Sequence, residues 1–167
     1  MGGRREARHP GCQVRVVETD INEPYEPLYR GKFDLMATWL PRSQSDLIEG
    51  PTLNEEPRVL AVAPDHPLAK KETVSVEDLA DYQTIRLDTI RKEWQEVWAP
   101  STTPSGRSIR RDPLDKMSSC DRGRMSTEIS YLVATGRIVH PTVPSIAGYW
   151  GHPEIVYIPI TDMAPLR

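Results

Sequence analysis

The sequence predicts an α/β fold in which short buried strands alternate with helices. Two observations carry this prediction: apolar runs of strand length are bounded by proline or glycine, and the stretches between them hold apolar residues at helical spacing. Arg58 to Ala63 is the clearest strand, since it follows Pro57 and ends before Pro64. A chain of 167 residues suits one domain or two small lobes, with enough apolar residues for a core.

The opening third of the chain predicts a β-α-β unit. Val14 to Val17 has the composition of a strand, and Asn22 can cap a helix that has Pro24 in its first turn and ends at Gly31. Phe33 to Leu40 is the second predicted strand. Because the connections are short and pass through a helix, we expect the two strands to be parallel.

A turn and a capped helix follow the strand at Arg58 to Ala63. Asp65-His66-Pro67 predicts a tight turn, and His66 is interpreted as a structural part of it. Ser75 with Asp78 three residues later predicts a helix N-terminus. Glu55-Glu56 is interpreted as an exposed approach to the strand.

The second half continues the alternation of strands and helices. Strands are predicted at 84–87, 109–111, 138–139 and 155–158, and helices near 90–98, 126–136 and 144–150. We expect Asp112-Pro113 to break the strand at 109–111, and Gly136 to end the preceding helix. Residues 101–106 form the most loop-like stretch.

Composition argues against several classes of protein. The net charge of −3 and the pI near 5.8 give no overall electrostatic footprint for nucleic acid, although residues 107–111 form a local basic cluster. Cys12 and Cys120 have no CxxC spacing, so they fit reduced thiols better than a disulfide or a metal site. The charged start has no apolar signal region, and residues 138–153 contain three prolines, which argues against a membrane span. These features predict a cytoplasmic protein.

Motifs of known catalytic sites are missing from the sequence. No G-x-S-x-G elbow, H-E-x-x-H helix, P-loop or G-x-G-x-x-G is present. Ser118, Ser119, Cys120 and Asp121 place nucleophiles near an acid, but no histidine is close in sequence. We therefore expect no enzymatic activity, no cofactor and no metal.

Three passages, in order, resemble the effector-binding domain of LysR-type transcriptional regulators. They are VRVVE with RGKFDLMATWLP, LNEEPRVLAVAPDHPLA with SVEDLADY, and LVATGR. The middle passage is the most specific, because in that family such a strand ends in P-x-H-P-L where the chain leaves one lobe for the other. The resemblance covers most of the chain from about Gln13 onward.

The resemblance implies a two-lobed α/β fold similar to type II periplasmic binding proteins, each lobe a small, mostly parallel sheet flanked by helices. Residues 1–62 and 140–167 would form the first lobe and residues 63–139 the second. A small-molecule effector, carboxylated or aromatic, would bind between the lobes, and closure would act on a homo-oligomer. The winged helix-turn-helix and the family's first strand have no counterpart, so the resemblance implies a truncated first lobe and no DNA binding by this chain alone.

Ligands of open α/β sheets bind at the carboxyl ends of the strands, and the resembling family has its effector cleft there. The predicted ligand-binding residues are Thr38, Trp39, Arg42, Asp20, Asp88, Thr89 and His140. Trp39 offers an apolar wall and Arg42 a bidentate partner for a carboxylate. Each has a structural alternative: Trp39 can be packing, Arg42 can be solvated, and Asp88 and Thr89 can be helix caps. His140 can be a structural histidine.

Two other functions remain open from the sequence. A solute-binding protein of the same fold is the first, and the absence of an export signal argues against it. A small α/β enzyme is the second, and the absence of known catalytic motifs argues against it.

Overall fold

The computed structural model describes residues 9, 11–17, 19, 25–39, 46–86, 92–113 and 125–167. By its contacts the chain divides into two compact units, residues 1–37 and 38–167. Among its described residues the first unit has one short helix, α1, at Glu26–Tyr29. The other described elements belong to the second unit.

Five strands, three α-helices and two 3₁₀ helices make up the described part of the second unit. The strands are β1 (Val59–Val62), β2 (Gln83–Arg86), β3 (Arg110–Pro113), β4 (His140–Thr142) and β5 (Val156–Pro159). The α-helices are α2 (Lys92–Trp98), α3 (Met125–Ala134) and α4 (Pro144–Trp150), and the 3₁₀ helices are Pro67–Lys70 and Val76–Asp81. The predicted order of strands and helices after residue 57 is therefore confirmed.

Strand β1 lies at the centre of a three-stranded sheet, between β4 and β5. Both neighbours are antiparallel to it, with Leu60 opposite Pro141 on one side and Ile158 on the other. The pairing differs from the mostly parallel sheet that was predicted, because the chain leaves through β1 and returns through β4 in the opposite direction. Helix α4 then carries the chain across to β5 on the far side of β1.

Strands β2 and β3 form a separate parallel pair, in which Arg86 lies opposite Pro113. The prediction that Asp112-Pro113 breaks this strand is wrong, since both residues belong to β3. Within this two-stranded sheet β3 is an edge strand, where a proline without an N–H donor leaves the ladder intact.

The core lies on both faces of β1, all four residues of which are buried. Leu60 and Val62 pack in one apolar cluster with the 3₁₀ helices and β5, including Leu79 and Ile158. Ala61 packs in a second cluster with Leu132 and Val133 of α3 and with Ile85 and Ile138. A strand covered on both faces has a continuous apolar sequence, which is why VLAV was recognisable without alternation.

Side-chain caps fix the start of both 3₁₀ helices. Ser75 Oγ accepts a hydrogen bond from Glu77 N, and Asp78 accepts one from Ser75 N, so the predicted capping box is present. Asp162 adds bonds from Ser75 Oγ (2.6 Å) and Val76 N (2.8 Å). His66 Nδ1 accepts a bond from Leu68 N, in agreement with its predicted structural role.

The strands predicted in the opening third do not form among the described residues. Val14 to Val17 has no regular structure and its valines are exposed, and the described residues of Phe33 to Leu40 are likewise irregular. Among the described residues neither run has a hydrogen-bonded partner strand, and an extended run without a partner gains no ladder of hydrogen bonds. The helix and its stop at Gly31, with a φ of 62°, are confirmed. The helix begins after Tyr25, so the start predicted from Asn22 is wrong, and Asn22 and Pro24 lie outside the described residues.

Candidate functional site

Trp39 contacts the aromatic ring of Trp98 at the end of α2. The two rings meet edge-to-face, with centroids 5.6 Å apart and planes at 82°. Trp39 Nε1 donates a hydrogen bond of 3.3 Å to Glu56 Oε1, so the half-buried indole is oriented at both ends. Thr38, directly before it, is also half-buried. The indole of Trp39 is therefore held in place by an acid and a second aromatic ring.

Glu56 joins Trp39 to the N-terminus of α4. Its carboxylate accepts hydrogen bonds from Ser145 N (3.0 Å) and Ser145 Oγ (2.9 Å). A carboxylate is favourable there because the first turn of a helix has free N–H groups and a partial positive charge. The interpretation of Glu56 as part of an exposed approach is wrong, since its side chain forms bonds to two separate elements.

Arg58 is a buried cation at the start of β1, with 2% of its surface exposed. It donates to three backbone carbonyls: Nη1 to Val97 O (2.7 Å), Nη2 to Trp98 O (2.8 Å) and Nε to Thr142 O (3.3 Å). Its guanidinium lies 5.5 Å from the centroid of the Trp98 ring. Burial lowers the pKa of Arg58 to about 10, so the side chain is still charged at neutral pH.

Arg58 connects the central sheet to the last turn of α2. The carbonyls of Val97 and Trp98 are unpaired within a helix that ends at Trp98, and a cation there also meets the negative end of the helix dipole. From the sequence, Arg58 was interpreted as part of an apolar run. A charge at the entrance of a strand that is buried on both faces was the signal for its role.

His140 lies on β4 opposite Ala61. The residue keeps part of its surface exposed, but its Nδ1 is excluded from solvent and has no hydrogen-bond partner among the described residues. Burial and the nearby positive charge of Arg58 lower the pKa of His140 to about 4. The imidazole is therefore neutral at physiological pH.

A cleft of about 650 Å³ opens beside Arg58. Its walls come from the end of α2, from the loop after it and from the last residues of the chain: Arg58, Val76, Glu96, Val97, Pro100, Thr102, Thr103, Pro104, Met163, Ala164, Pro165, Leu166 and Arg167. Most of these side chains are apolar, and the volume is within the range of small-molecule sites.

Glu96 is the acidic side chain in the described lining of the cleft. Burial tends to raise the pKa of Glu96, but bonds from Ser101 N and Ser101 Oγ and the charge of Arg111 at 2.9 Å outweigh it, so the pKa is lowered. Its charge is thus matched by Arg111. Across the described ranges, no cluster of three or more potential metal ligands is found.

The structure places some predicted ligand-binding residues and not others. Thr38 and Trp39 are adjacent and lie in the second unit, and His140 lies on β4, where it senses the charge of Arg58. Asp20, Arg42, Asp88 and Thr89 lie outside the described residues. Three residues at this place were not among the predicted ligand-binding residues: Glu56, Arg58 and Trp98.

No helix within the described ranges has both the length and the apolar character needed to cross a membrane.

Comparison with known proteins gives consistent results. The family model for the LysR substrate binding domain matches residues 3–111. The HTH-type transcriptional regulator MetR from Salmonella typhimurium is 35% identical over 102 residues, which cover 61% of this chain and 32% of that protein. The MetR of Escherichia coli K12 is also 35% identical, over 86 residues. This chain therefore spans about a quarter to a third of the length of the curated relatives it matches.

Solved structures share the fold at low sequence identity. The oxidized form of OxyR superimposes with a TM-score of 0.69 at 23% identity, covering 98% of this chain and 73% of that chain. HinK, a LysR family transcriptional regulator from Pseudomonas aeruginosa, gives a TM-score of 0.66 at 18% identity, covering 98% of this chain and 54% of that one. The predicted α/β fold, similar to periplasmic binding proteins, is thereby confirmed. Because the family model matches well over half of the residues, this chain belongs to the LysR substrate binding domain family.

Proposed function

We propose that this chain is the effector-sensing domain of a LysR-type transcriptional regulator, in which a small metabolite binds in a cleft and shifts the arrangement of an oligomer. The observation that carries the proposal is an aromatic pair, Trp39 and Trp98, with Trp39 oriented by Glu56, in a chain of this family. A ligand can bias an oligomer only if it binds one arrangement more tightly than another. A ligand held by residues at strand ends and hinges can bind one arrangement more tightly, because the surroundings of those residues change when a cleft closes.

The effector we propose is a small carboxylate or aromatic metabolite. Trp39 supplies a flat apolar surface that is already oriented by Glu56, so little side-chain entropy is lost on binding. Thr38 supplies a hydroxyl beside it. Arg42, Asp20, Asp88 and Thr89 complete the proposed set from the sequence, with Arg42 as the partner of a carboxylate.

DNA binding and homo-oligomer formation belong to the proposal for the longer relatives. MetR is named as an HTH-type transcriptional regulator, and we infer that a full-length relative of this chain reads DNA through such an element. For this chain alone we expect no specific binding to duplex DNA, since its net charge is −3. Gel-shift binding that persists at physiological salt against competitor DNA would contradict that expectation.

A thermal-shift screen of carboxylates and aromatic metabolites tests the proposed effector site. A ligand at a hundredfold excess over its Kd stabilises the fold by about 2.7 kcal/mol. We expect hits to lose most of their shift in Trp39→Ala and in Arg42→Ala. The matched controls are Tyr149→Ala and Arg15→Ala, which change an exposed aromatic and an exposed arginine elsewhere. Hits whose shifts survive Trp39→Ala and Arg42→Ala would remove this site from consideration.

Further measurements on the hits of this screen separate the proposal from its alternatives. A solute-binding protein of this fold closes on its ligand without a change in association, so its hits leave the sedimentation coefficient of the chain unaltered apart from compaction. A sensor domain changes its association state or the affinity of its self-contacts. An α/β enzyme converts the hit, which mass spectrometry of the incubated ligand detects.

A further inference from the structure

We propose that the cleft beside Arg58 is a second ligand site, which binds a small monocarboxylate with an apolar body. The inference goes beyond the effector site around Trp39, because none of the predicted ligand-binding residues lines this cleft. Arg58 carries the charge that would hold the ligand. This side chain is nearly fully buried, and among the described residues no carboxylate pairs with it.

The bonds of Arg58 do not neutralise its charge. All three of its known acceptors are backbone carbonyls, which are neutral, and the end of a helix contributes only about half of an elementary negative charge. A guanidinium has five N–H groups, so three bonds leave two donors, one on each terminal nitrogen. N–H groups of a guanidinium that are left without an acceptor are suited to the oxygens of a carboxylate.

The other charges of the lining are matched. Glu96 pairs with Arg111 at 2.9 Å and accepts two bonds from Ser101. Arg167, which is exposed, lies 3.7 Å from Glu55. Arg58 is therefore the charge in the described lining that lacks an opposite charge. An anion that enters the cleft compensates it without displacing an existing ion pair.

The walls define the rest of the ligand. Val97, Pro100, Met163 and Leu166 present apolar surface around the guanidinium. The hydroxyl of Thr103 already has a hydrogen-bond partner in Ser105, so it does not require a polar group on the ligand. A cavity with apolar walls and one buried cation favours an amphiphilic monoanion over a sugar, a dianion or a free phosphate.

Calorimetric titration of the intact 167-residue chain with benzoate and with benzamide at pH 7 tests this site. The two probes have nearly the same shape, and only benzoate carries the charge. We expect benzoate to bind at least tenfold more tightly than benzamide, because only benzoate compensates Arg58. We expect inorganic phosphate to bind at least tenfold more weakly than benzoate, because it cannot use the apolar walls.

Three variants test the location of the binding, and the first two leave the bonds of Arg58 in place. Thr102→Trp fills the cleft from an exposed wall position and is expected to weaken benzoate at least tenfold. Thr52→Trp makes the same change at an exposed position outside the lining and is expected to leave benzoate binding unaltered. Arg58→Lys keeps the charge but loses the planar pair of donors, and is expected to weaken benzoate further than benzamide.

Two kinds of result would overturn the proposal of a second site. Equal affinities for benzoate and benzamide, or no benzoate binding at millimolar concentration, show that Arg58 recruits no carboxylate. Benzoate binding that is lost in Trp39→Ala but retained in Thr102→Trp assigns the probe to the strand-end site instead. That last outcome supports the proposed function while it removes the second site.

Discussion

Two valine-rich runs of similar sequence have opposite fates in this chain. Val14 to Val17 is irregular, and Val16 is 88% exposed. Val59–Val62 is a strand in which every residue is buried. Both runs have the composition of a strand, and both were predicted as strands. The difference lies in their partners, since β1 pairs on both edges and packs on both faces, whereas the described residues near Val14 offer it neither.

The comparison teaches that β-propensity is realised only through pairing and burial. Valine favours a strand because it fits a pleated surface that is half covered or fully covered, and an uncovered run gains little from that fit. Pro57 and Pro64 mark the ends of β1 in the sequence, but the strands that pair with it, β4 and β5, are more than 70 residues away. Such distant partners are not visible in a local pattern.

The largest effect is expected from truncating the paired strand. Leu60→Ala removes a side chain with no exposed surface from the main apolar cluster, and should lower the free energy of unfolding by about 3 kcal/mol. Val16→Ala should change it by at most about 0.5 kcal/mol. Urea denaturation followed by circular dichroism measures both. Equal losses for the two variants would show that the Val14 run is buried against a partner.

A pH experiment adds a second contrast, because the sheet around β1 contains a titrating group. The pKa of His140 is about 4 in the folded chain and about 6.5 when unfolded. Between these values the unfolded state binds more protons, so stability falls as the pH drops from 6.5 toward 4, by at most about 3 kcal/mol. The pKa of His66 is also lowered, mainly by burial, which adds a loss of the same sign.

His140→Leu isolates the contribution of His140. The variant should flatten the difference in unfolding free energy between pH 7 and pH 5, and His66→Leu should leave most of it. The comparison of the two variants is made by urea denaturation at both pH values. A wild-type stability that is constant over this range would mean that the His140 ring titrates normally and is reached by water.

Capping gives the next smaller effect. Ser75→Ala removes the acceptor for Glu77 N and the hydroxyl bonded to Asp162, and should cost about 1.5 kcal/mol. The control is Thr52→Ala, an exposed hydroxyl. By contrast Tyr25, the residue before α1, makes no side-chain cap, so Tyr25→Ala should not show a capping loss. Thermal unfolding of the three variants ranks them.

The sequence predicted most elements after residue 57 because each has its own local signal. Ser75 with Asp78 marked the capped helix, and Gly136 marked the end of α3. The antiparallel direction of β4 and β5 had no such signal, since it follows from the path of the chain through the return crossover. The resemblance to the LysR family gave the fold without giving that pairing.

The site was predictable in part for the same reason. Trp39 was predicted as a ligand-binding residue because it ends an apolar run, where ligand-binding loops of α/β folds are expected. Arg58 was missed because its acceptors, the carbonyls at the end of α2 and Thr142 O, come from distant parts of the chain. Glu56 was missed likewise, since Ser145 is 89 residues away. Contacts between side chains and distant backbone leave no periodic trace in a sequence.

The smallest effect, and the closest test of the comparison, comes from two glycines in the same backbone conformation. Gly31 follows α1 with a φ of 62° and Gly136 follows α3 with a φ of 68°. An added Cβ meets only Ala63 Cβ at 3.9 Å in the second case and nothing within 4 Å in the first, so the cost comes from backbone conformation. Helix α3 packs Leu132 and Val133 into the core, whereas α1 buries no residue.

Gly136→Ala should therefore cost about 1 kcal/mol of unfolding free energy, because the strained residue must keep its conformation for α3 to stay in the core. Gly31→Ala imposes the same local strain, but α1 contains no fully buried residue, so the global stability should change by much less than about 0.5 kcal/mol. Urea denaturation measures the global effect, and hydrogen exchange at the amides of α1 reports the local one. A Gly31→Ala variant as destabilised as Gly136→Ala would mean that α1 is coupled to a core, and the contrast between the two regions would fail.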